Sequence, residues 1–323
     1  MNNEDKIIDE KAEYLATTAG AQAEAIRAAI AASPRPIPTG LANVDMMLGG
    51  GFEYGNLYVL ASAPGMGKTT LANQIAVNIS AHGNDVIYVS LAEDTIDLMI
   101  KDVSRCSLEI SAANAITTWQ LDSAYRGEIR HLDFSDGQRA IMELARARHV
   151  KRAKKLYIVD IPISIDELER IVESHEFLLG NKPFVVIDFL QLLSLIGESD
   201  KQKLLSISDR DNNNVMHLKR LAFKRKIPIL VLTSVCSTSY YTSVSLESLN
   251  DAGGIEYAAD VVLGLQPMEY SSNDKIAGKR EMEETMKKAV RDMSLSCVKN
   301  RDGGLGEVAL RYHAAYNFFE EMK

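Results

Sequence analysis

Short apolar runs alternate along this chain with longer segments whose apolar positions recur every three or four residues. The runs are Leu57–Ser62, Asp85–Leu91, Leu156–Ile161, Phe184–Asp188 and Ile229–Thr233. They are rich in Val, Ile and Leu and bounded by turn residues, the pattern of strands covered on both faces. Between them, the spacing predicts helices over Thr69–His82, after a cap at Asp94, through most of 108–150, after Ser164 and near Val215–Lys226. Ser164 with Glu167 forms a capping-box pair. Three more strands are expected near Val261–Leu265, Ser294–Lys299 and Glu307–Tyr312, and Lys279–Arg291 reads as an exposed charged helix. The pattern predicts an α/β fold: a mostly parallel sheet with helices on both faces and a C-terminal antiparallel hairpin.

Residues 6–32 carry a narrow apolar stripe (Ile8, Leu15, Ala19, Ile26, Ile30) at helical spacing. This amphipathic helix either folds back on its own core or docks on a neighbouring subunit. Pro34, Pro36 and Pro38 cannot continue it and make a stiff linker. The chain therefore divides into an N-terminal segment, 1–35, and a main domain, 36–323, which opens with a short helix in Leu41–Gly51 closed by three glycines.

Composition changes this picture little. At 323 residues, 46% hydrophobic and 25% charged, with net charge −8, the chain carries no global basic field. Any nucleic-acid contact must come from a local patch. Cys106, Cys236 and Cys297 are far apart and are expected as buried, reduced thiols in a cytoplasmic protein. His175-Glu176 lacks the second histidine of a zinc motif, and no signal peptide or membrane-spanning run is evident.

The chemistry concentrates after the first long strand. Ala63, Pro64, Gly65, Met66, Gly67, Lys68, Thr69 and Thr70 form a glycine-containing turn running from strand to helix. Glycines let successive backbone N–H groups point at phosphate oxygens, and the helix N-terminus adds its positive end. Lys68 would reach the β/γ-phosphates and the Thr69 hydroxyl would ligate Mg²⁺. The first glycine of the usual pattern is Ser62 here. The site implies ATP or another nucleoside triphosphate with Mg²⁺.

Asp188 ends an apolar strand, where a carboxylate helps hold Mg²⁺ in such ATPases or simply caps the strand. Hydrolysis also needs a carboxylate to orient water, and the candidates are Glu93 and Asp94. Asp94 alternatively caps the next helix, with Glu93 solvated. Lys299 and Arg301, two apart before Gly303-Gly304, form either a solvated turn or an arginine finger for a neighbour's γ-phosphate site.

Several segments together resemble the RecA-like motor domain of DnaB-like replicative helicases. They are Ile37-Pro38-Thr39-Gly40-Leu41 with Asp45, the phosphate loop, Val89-Ser90-Leu91, Ile187-Asp188-Phe189-Leu190-Gln191-Leu192, Gly253-Gly254-Ile255-Glu256 with Ala259-Asp260, and Lys299-Asn300-Arg301-Asp302-Gly303. The similarity runs over roughly residues 36–320, without the family's globular N-terminal domain; 1–35 resembles the linker helix that docks on the adjacent subunit. The resemblance implies a RecA-like core in a hexameric ring on single-stranded DNA, with ATP between subunits. It implies Lys299 and Arg301 acting in trans, Asp188 at the acidic metal position, Gln191 coupling nucleotide to the DNA loops, and a loader or primase as partner.

Three departures stand against it. The family's water-activating glutamate directly follows Ser-Leu, where this chain has Ala92 and then Glu93. Thr233-Ser234 replaces Ser/Thr-Gln, and Val235–Asn273 contains no Lys or Arg. Tyr240 and Tyr241 there would stack on bases or pack; Lys201, Lys203 and Arg210 are the other channel candidates, or a solvated loop. The expected function is an ATP-dependent DNA helicase. The alternative is a nucleotide-binding ring or scaffold with weak or no translocation.

Overall fold

A computed structural model describes residues 34–127, 134–193, 207–252, 254–268 and 275–322. The N-terminal helix expected over 6–32, and Lys201 and Lys203, lie outside the described residues.

Chain order begins with α1 (Ala42–Met47), β1 (Leu57–Ser62), α2 (Lys68–Ala81), β2 (Val86–Ser90) and α3 (Thr95–Ile110). A helical layer follows, α4 (Thr118–Tyr125) and α5 (Asp136–Arg152), then β3 (Leu156–Val159), α6 (Ile165–Leu179), β4 (Phe184–Asp188) and α7 (Leu190–Leu193). The second half holds α8 (Ile207–Arg225), β5 (Ile229–Ser234), α9 (Gly254–Ala258), β6 (Val261–Pro267), α10 (Lys275–Lys287), β7 (Val290–Asn300), β8 (Gly306–His313) and β9 (Phe318–Glu321).

Among the described residues these strands make one sheet in the order β3-β2-β4-β5-β1-β6-β7-β8-β9. The first six are parallel and the last three are added antiparallel. Every residue of β1, β2 and β4 is buried, as expected where helices cover both faces. Arg225 at the end of α8 meets Glu169, Glu173 and Glu176 of α6, so those two helices are stitched side by side.

The segment Ile37–Leu41, diagnostic in sequence, is structural. Thr39 donates from its amide and its hydroxyl to Asp45 (2.6 and 2.7 Å), and Ile37 pairs with Phe52. Gly51, at φ +126°, has no room for a side chain: a Cβ would lie 2.2 Å from the Ile37 carbonyl.

Several expectations need correction. The charged helix ends at Lys287, and Arg291 belongs to β7. On α5, His149 and Arg152 turn inward onto Asp102 and Glu109 of α3 (2.7 and 2.8 Å). Asp102 and Arg105 pair in the interior, where each offsets the other's desolvation. Cys106 and Cys297 are buried, but Cys236 is only half-buried.

Nothing in the sequence predicts strand β9, because four residues after a helical turn carry no periodic signal. It is fastened to α2 by Gln74, which donates to the Phe319 carbonyl (2.7 Å) and accepts from its amide (2.9 Å). Phe319 stacks on Tyr312 at 4.3 Å, and its ring edge would lie 3.0 Å from a Cβ at Gly67. Truncating Phe319, which is fully buried, should leave a cavity directly behind the phosphate loop. Phe319→Ala is expected to cost about 3–4 kcal/mol of stability, read as a lower urea midpoint at unchanged m-value.

Candidate active site

The site lies at the carboxyl ends of four adjacent strands. Ser62 of β1 sits opposite Ser234 of β5, and Ser90 of β2 opposite Asp188 of β4. Crossing the sheet one meets the phosphate loop, then Thr233, then Asp188 with Gln191, then Glu93. Neighbouring strands are about 4.8 Å apart, so these groups border one crevice, the usual ligand position in open α/β sheets.

The loop residues Ala63–Thr70 wrap the end of β1. Gly65 and Gly67 take φ +77° and +93°, and α2 starts at Lys68. Pro64 and Gly65 are exposed while Met66 is buried as an anchor. Ser62, replacing the usual first glycine, is buried; its hydroxyl accepts from Lys68 Nζ at 3.0 Å. Lys68 also donates to the carbonyls of Ser62 and Ala63 (3.1 and 3.2 Å). Burial holds the pKa of its ammonium down to about 8, only partly offset by the charge of Asp188.

Asp188 is buried and accepts from the Tyr88 hydroxyl at 3.0 Å. The Thr69 hydroxyl also bonds it; burial nonetheless pushes the pKa of this carboxyl upward, and the charge of Glu93 adds to the rise. A hydroxyl and a carboxylate side by side suit Mg²⁺, which takes hard oxygens and keeps positions for phosphate and water.

The residues Leu91–Glu93 form a bend in which the Ser90 hydroxyl donates to the Glu93 carbonyl (2.5 Å). Through it Glu93 comes within electrostatic reach of Asp188. Its carboxylate is held by Lys101, whose ammonium meets both oxygens. Asp94 caps α3, accepting from the Asp97 amide at 2.8 Å. The two carboxylates weighed in the sequence therefore differ in setting: one caps a helix, the other borders the crevice.

Gln191 donates to the Thr233 hydroxyl at 2.7 Å, tying the exit of β4 to the end of β5. Its carbonyl oxygen is buried without a partner. Beyond β5, Tyr240 packs against the core; the adjacent Tyr241 is half-buried, and its carbonyl closely approaches Gly278 of α10. Arg210 lies on α8, half-buried.

Lys299 and Arg301 are not in this crevice. Lys299 Nζ donates to the carbonyls of Glu256 (2.8 Å) and Ala259, and burial lowers its pKa. Arg301 pairs with Asp260 at 3.2 Å. The other oxygen of that aspartate accepts from the Leu57 amide, the first residue of β1. The cationic turn is thus at the opposite end of β1 from the phosphate loop, on the order of 15 Å away along the strand.

Four contributors escaped the sequence. Lys101 sits eight residues beyond Glu93, and a helical register from Asp94 would have brought it back over that carboxylate. Tyr88, Arg291 and Asn317 gave no signal. The Arg291 guanidinium donates to the Gly65 carbonyl (3.5 Å) and lies 5.6 Å from the Tyr312 ring. Asn317 accepts from the Thr70 hydroxyl at 2.7 Å.

Away from the crevice, α3, α4 and α5 enclose an apolar groove of about 460 Å³, lined by Met99, Ile100, Val103, Leu121, Met142 and Val150 among others. No helix among the described residues is long and apolar enough to cross a membrane.

Comparison with known proteins agrees with this arrangement. The DnaB-like helicase C terminal domain family matches residues 36–321. The chain is 24% identical over 291 residues to the replicative DNA helicase DnaB of Geobacillus stearothermophilus, covering 89% of this chain and 57% of that protein. It is 28% identical over 289 residues to the DnaB of Treponema pallidum, covering 88% and 55%. The chain therefore spans a little over half the length of these curated relatives. Among solved structures, the ATPase domain of G40P superposes with TM-score 0.74 at 20% identity, over 95% of this chain and 99% of that one. A DnaB-like replicative helicase studied with primase gives 0.73 at 19%, over 95% and 67%. At these identities the two structures establish the fold: a RecA-like helicase ATPase core.

The buried ammonium has a measurable signature. A lysine held at about 8 when folded, against an ordinary 10.5, binds fewer protons than the unfolded chain between those values. The contribution of Lys68 to the stability of the nucleotide-free protein should therefore rise as pH increases from about 8 to 10.5, by on the order of 2 kcal/mol. Burial raises the pKa of Cys106 and Tyr58 and acts in the opposite sense, so the signature is the difference in urea midpoint between the parent and Lys68→Met, which should grow in the parent's favour across this range.

Proposed function

The chain belongs to the DnaB-like helicase C-terminal domain family, and on that premise we propose that it is an ATP-dependent DNA helicase, forming a hexameric ring that moves along single-stranded DNA and hydrolyses ATP between subunits. One observation carries the reading. The phosphate cradle and the cationic turn stand at opposite ends of the same strand, so Lys299 and Arg301 reach a nucleotide only on a neighbouring copy.

The cradle's task is to bind and orient the triphosphate. The Gly65 and Gly67 region offers backbone N–H groups, the N-terminus of α2 offers its dipole, and Lys68 turns from loop carbonyls to phosphate oxygens. Thr69 and Asp188 would hold Mg²⁺, which would supply charge neutralisation on the phosphates. Glu93 positions the attacking water and accepts its proton. Arg301 is well suited to leave its own subunit: it is half-exposed, and Asp260 keeps the Lys219 ammonium and the Leu57 amide without it. Entering a neighbour's site, its guanidinium stabilises charge that develops on the transferred phosphoryl group. Gln191 links the end of β4 to the end of β5, and so to the segment after Thr233 that would face DNA.

On the same reading, the segment with the apolar stripe over 6–32 docks on an adjacent subunit. A loader or primase would complete the system. The protein is expected in the cytoplasm.

A second reading, a nucleotide-binding ring or scaffold with little translocation, is favoured by one feature. Tyr240 is spent on packing, so the Lys/Arg-free segment after β5 has few groups for phosphate or base.

ATPase assays with and without single-stranded DNA separate the two. The motor reading expects strong stimulation by DNA and a loss of at least about a hundredfold in Glu93→Gln; a rate indifferent to both leaves the scaffold. Arg301→Ala and Lys68→Ala should each be inactive. Mixed together they should recover part of the rate, because one supplies an intact cradle and the other an intact turn. Mixtures that stay inactive would remove the trans assignment.

A further inference from the structure

Glu93 would position water with its carboxylate, and the Lys101 ammonium meets both oxygens of that group, holding its orientation and offsetting its charge. We propose that Lys101 is a restraining residue for hydrolysis: it latches Glu93 in the resting subunit, and the carboxylate becomes competent when the ammonium lets go. This rests on Glu93 being the water-positioning residue and goes beyond it by naming what holds that residue back.

Three features make the contact a latch and not part of the scaffold. First, the pair is partly wet, with side-chain exposures of 16% for Lys101 and 27% for Glu93. The pair lies at the rim of the crevice and not in the sealed core, so the two side chains can part without opening the core. Second, the ammonium is carried back from the second turn of α3 to a residue preceding the helix. A cation at a helix N-terminus works against the helix dipole; the Glu93 carboxylate is what keeps it there, and among the described contacts neither group has another charged partner. Third, the frame around the pair is fixed independently. Asp94 caps α3 (2.8 Å), Thr95 donates twice to Asp160 (2.7 and 3.0 Å), and Asn73 of α2 donates to the Leu98 carbonyl (3.0 Å). Releasing Lys101 therefore frees one side chain without dismantling the bend that carries Glu93.

The test is the ATPase rate of the full chain with saturating Mg²⁺ and ATP, with and without single-stranded DNA. Lys101→Met should raise the DNA-free kcat about three- to tenfold, the worth of a partly exposed ion pair, with KM changed less than about twofold. The DNA-stimulated rate should stay at the parental ceiling, so the stimulation ratio shrinks. Lys101→Gln, which keeps a polar head without the charge, should behave likewise, whereas Lys101→Arg should remain at the parental rate. The double variant Lys101→Met/Glu93→Gln should fall to the level of Glu93→Gln. A DNA-free kcat that is unchanged or lowered in both Lys101→Met and Lys101→Gln overturns the latch. If Glu93→Gln alone keeps the parental rate, the reading of Glu93 fails first; if Glu93→Gln is inactive and the Lys101 variants show no rise, the latch alone fails.

Discussion

The strand pairing of β1, β5, β4 and β2 is the constraint from which the site follows. Ser62 aligns with Ser234, and Ser90 with Asp188, while Ile187 of β4 pairs with Val231 of β5, so four turns that are distant in sequence open along the same edge of the sheet. Slipping any of these strands by one residue would invert its side chains. Asp188 would then leave the Thr69 hydroxyl, and the bend at Glu93 would lose its place beside both. Every residue in β1, β2 and β4 is buried, so both faces of these strands are held by packing.

The same burial makes the crevice electrostatically expensive when empty. Lys68 loses most of its hydration and its pKa is held down to about 8, while that of Asp188 is pushed the other way. Each charge is disfavoured by its surroundings and only partly relieved by the other. A polyanion with a divalent cation would relieve both together, and on the proposed function the unfavourable energy in the free protein would become affinity for the metal–nucleotide pair. Loop carbonyls and the Ser62 hydroxyl hold Lys68 meanwhile; a glycine at position 62 would give it one acceptor fewer.

Much of this was legible in the residues. Strands that are apolar throughout announce themselves, and β4 runs over Phe184–Asp188 as expected. The capping box at Ser164 and Glu167 and the Asp94 cap form as read, because caps are local chemistry. What could not be read depends on distance. Strand β9 is held by Gln74 of α2, which lies 245 residues from Phe319 in sequence, far beyond the reach of any local periodicity. Lys101 looked like one more polar helix position until the bend at Leu91–Glu93 turned the carboxylate toward it. The inward turn of Arg152 and His149 likewise required α3 and α5 to be neighbours. The segment Ile37–Leu41, one of those that carry the family resemblance, is a structural lock around Asp45, which no chemistry-based reading would have assigned.

The separation of the cradle from the Lys299–Arg301 turn, at the two ends of β1, has an arithmetic consequence. If the turn serves a neighbour's cradle, as proposed, complementary halves on opposite flanks would make a head-to-tail contact, in which like surfaces never meet. An open row of such subunits always ends with one cradle unserved and one turn idle, whatever its length. Only closure into a circle brings the count of working centres level with the count of subunits, so a single gap silences one centre and leaves the others intact.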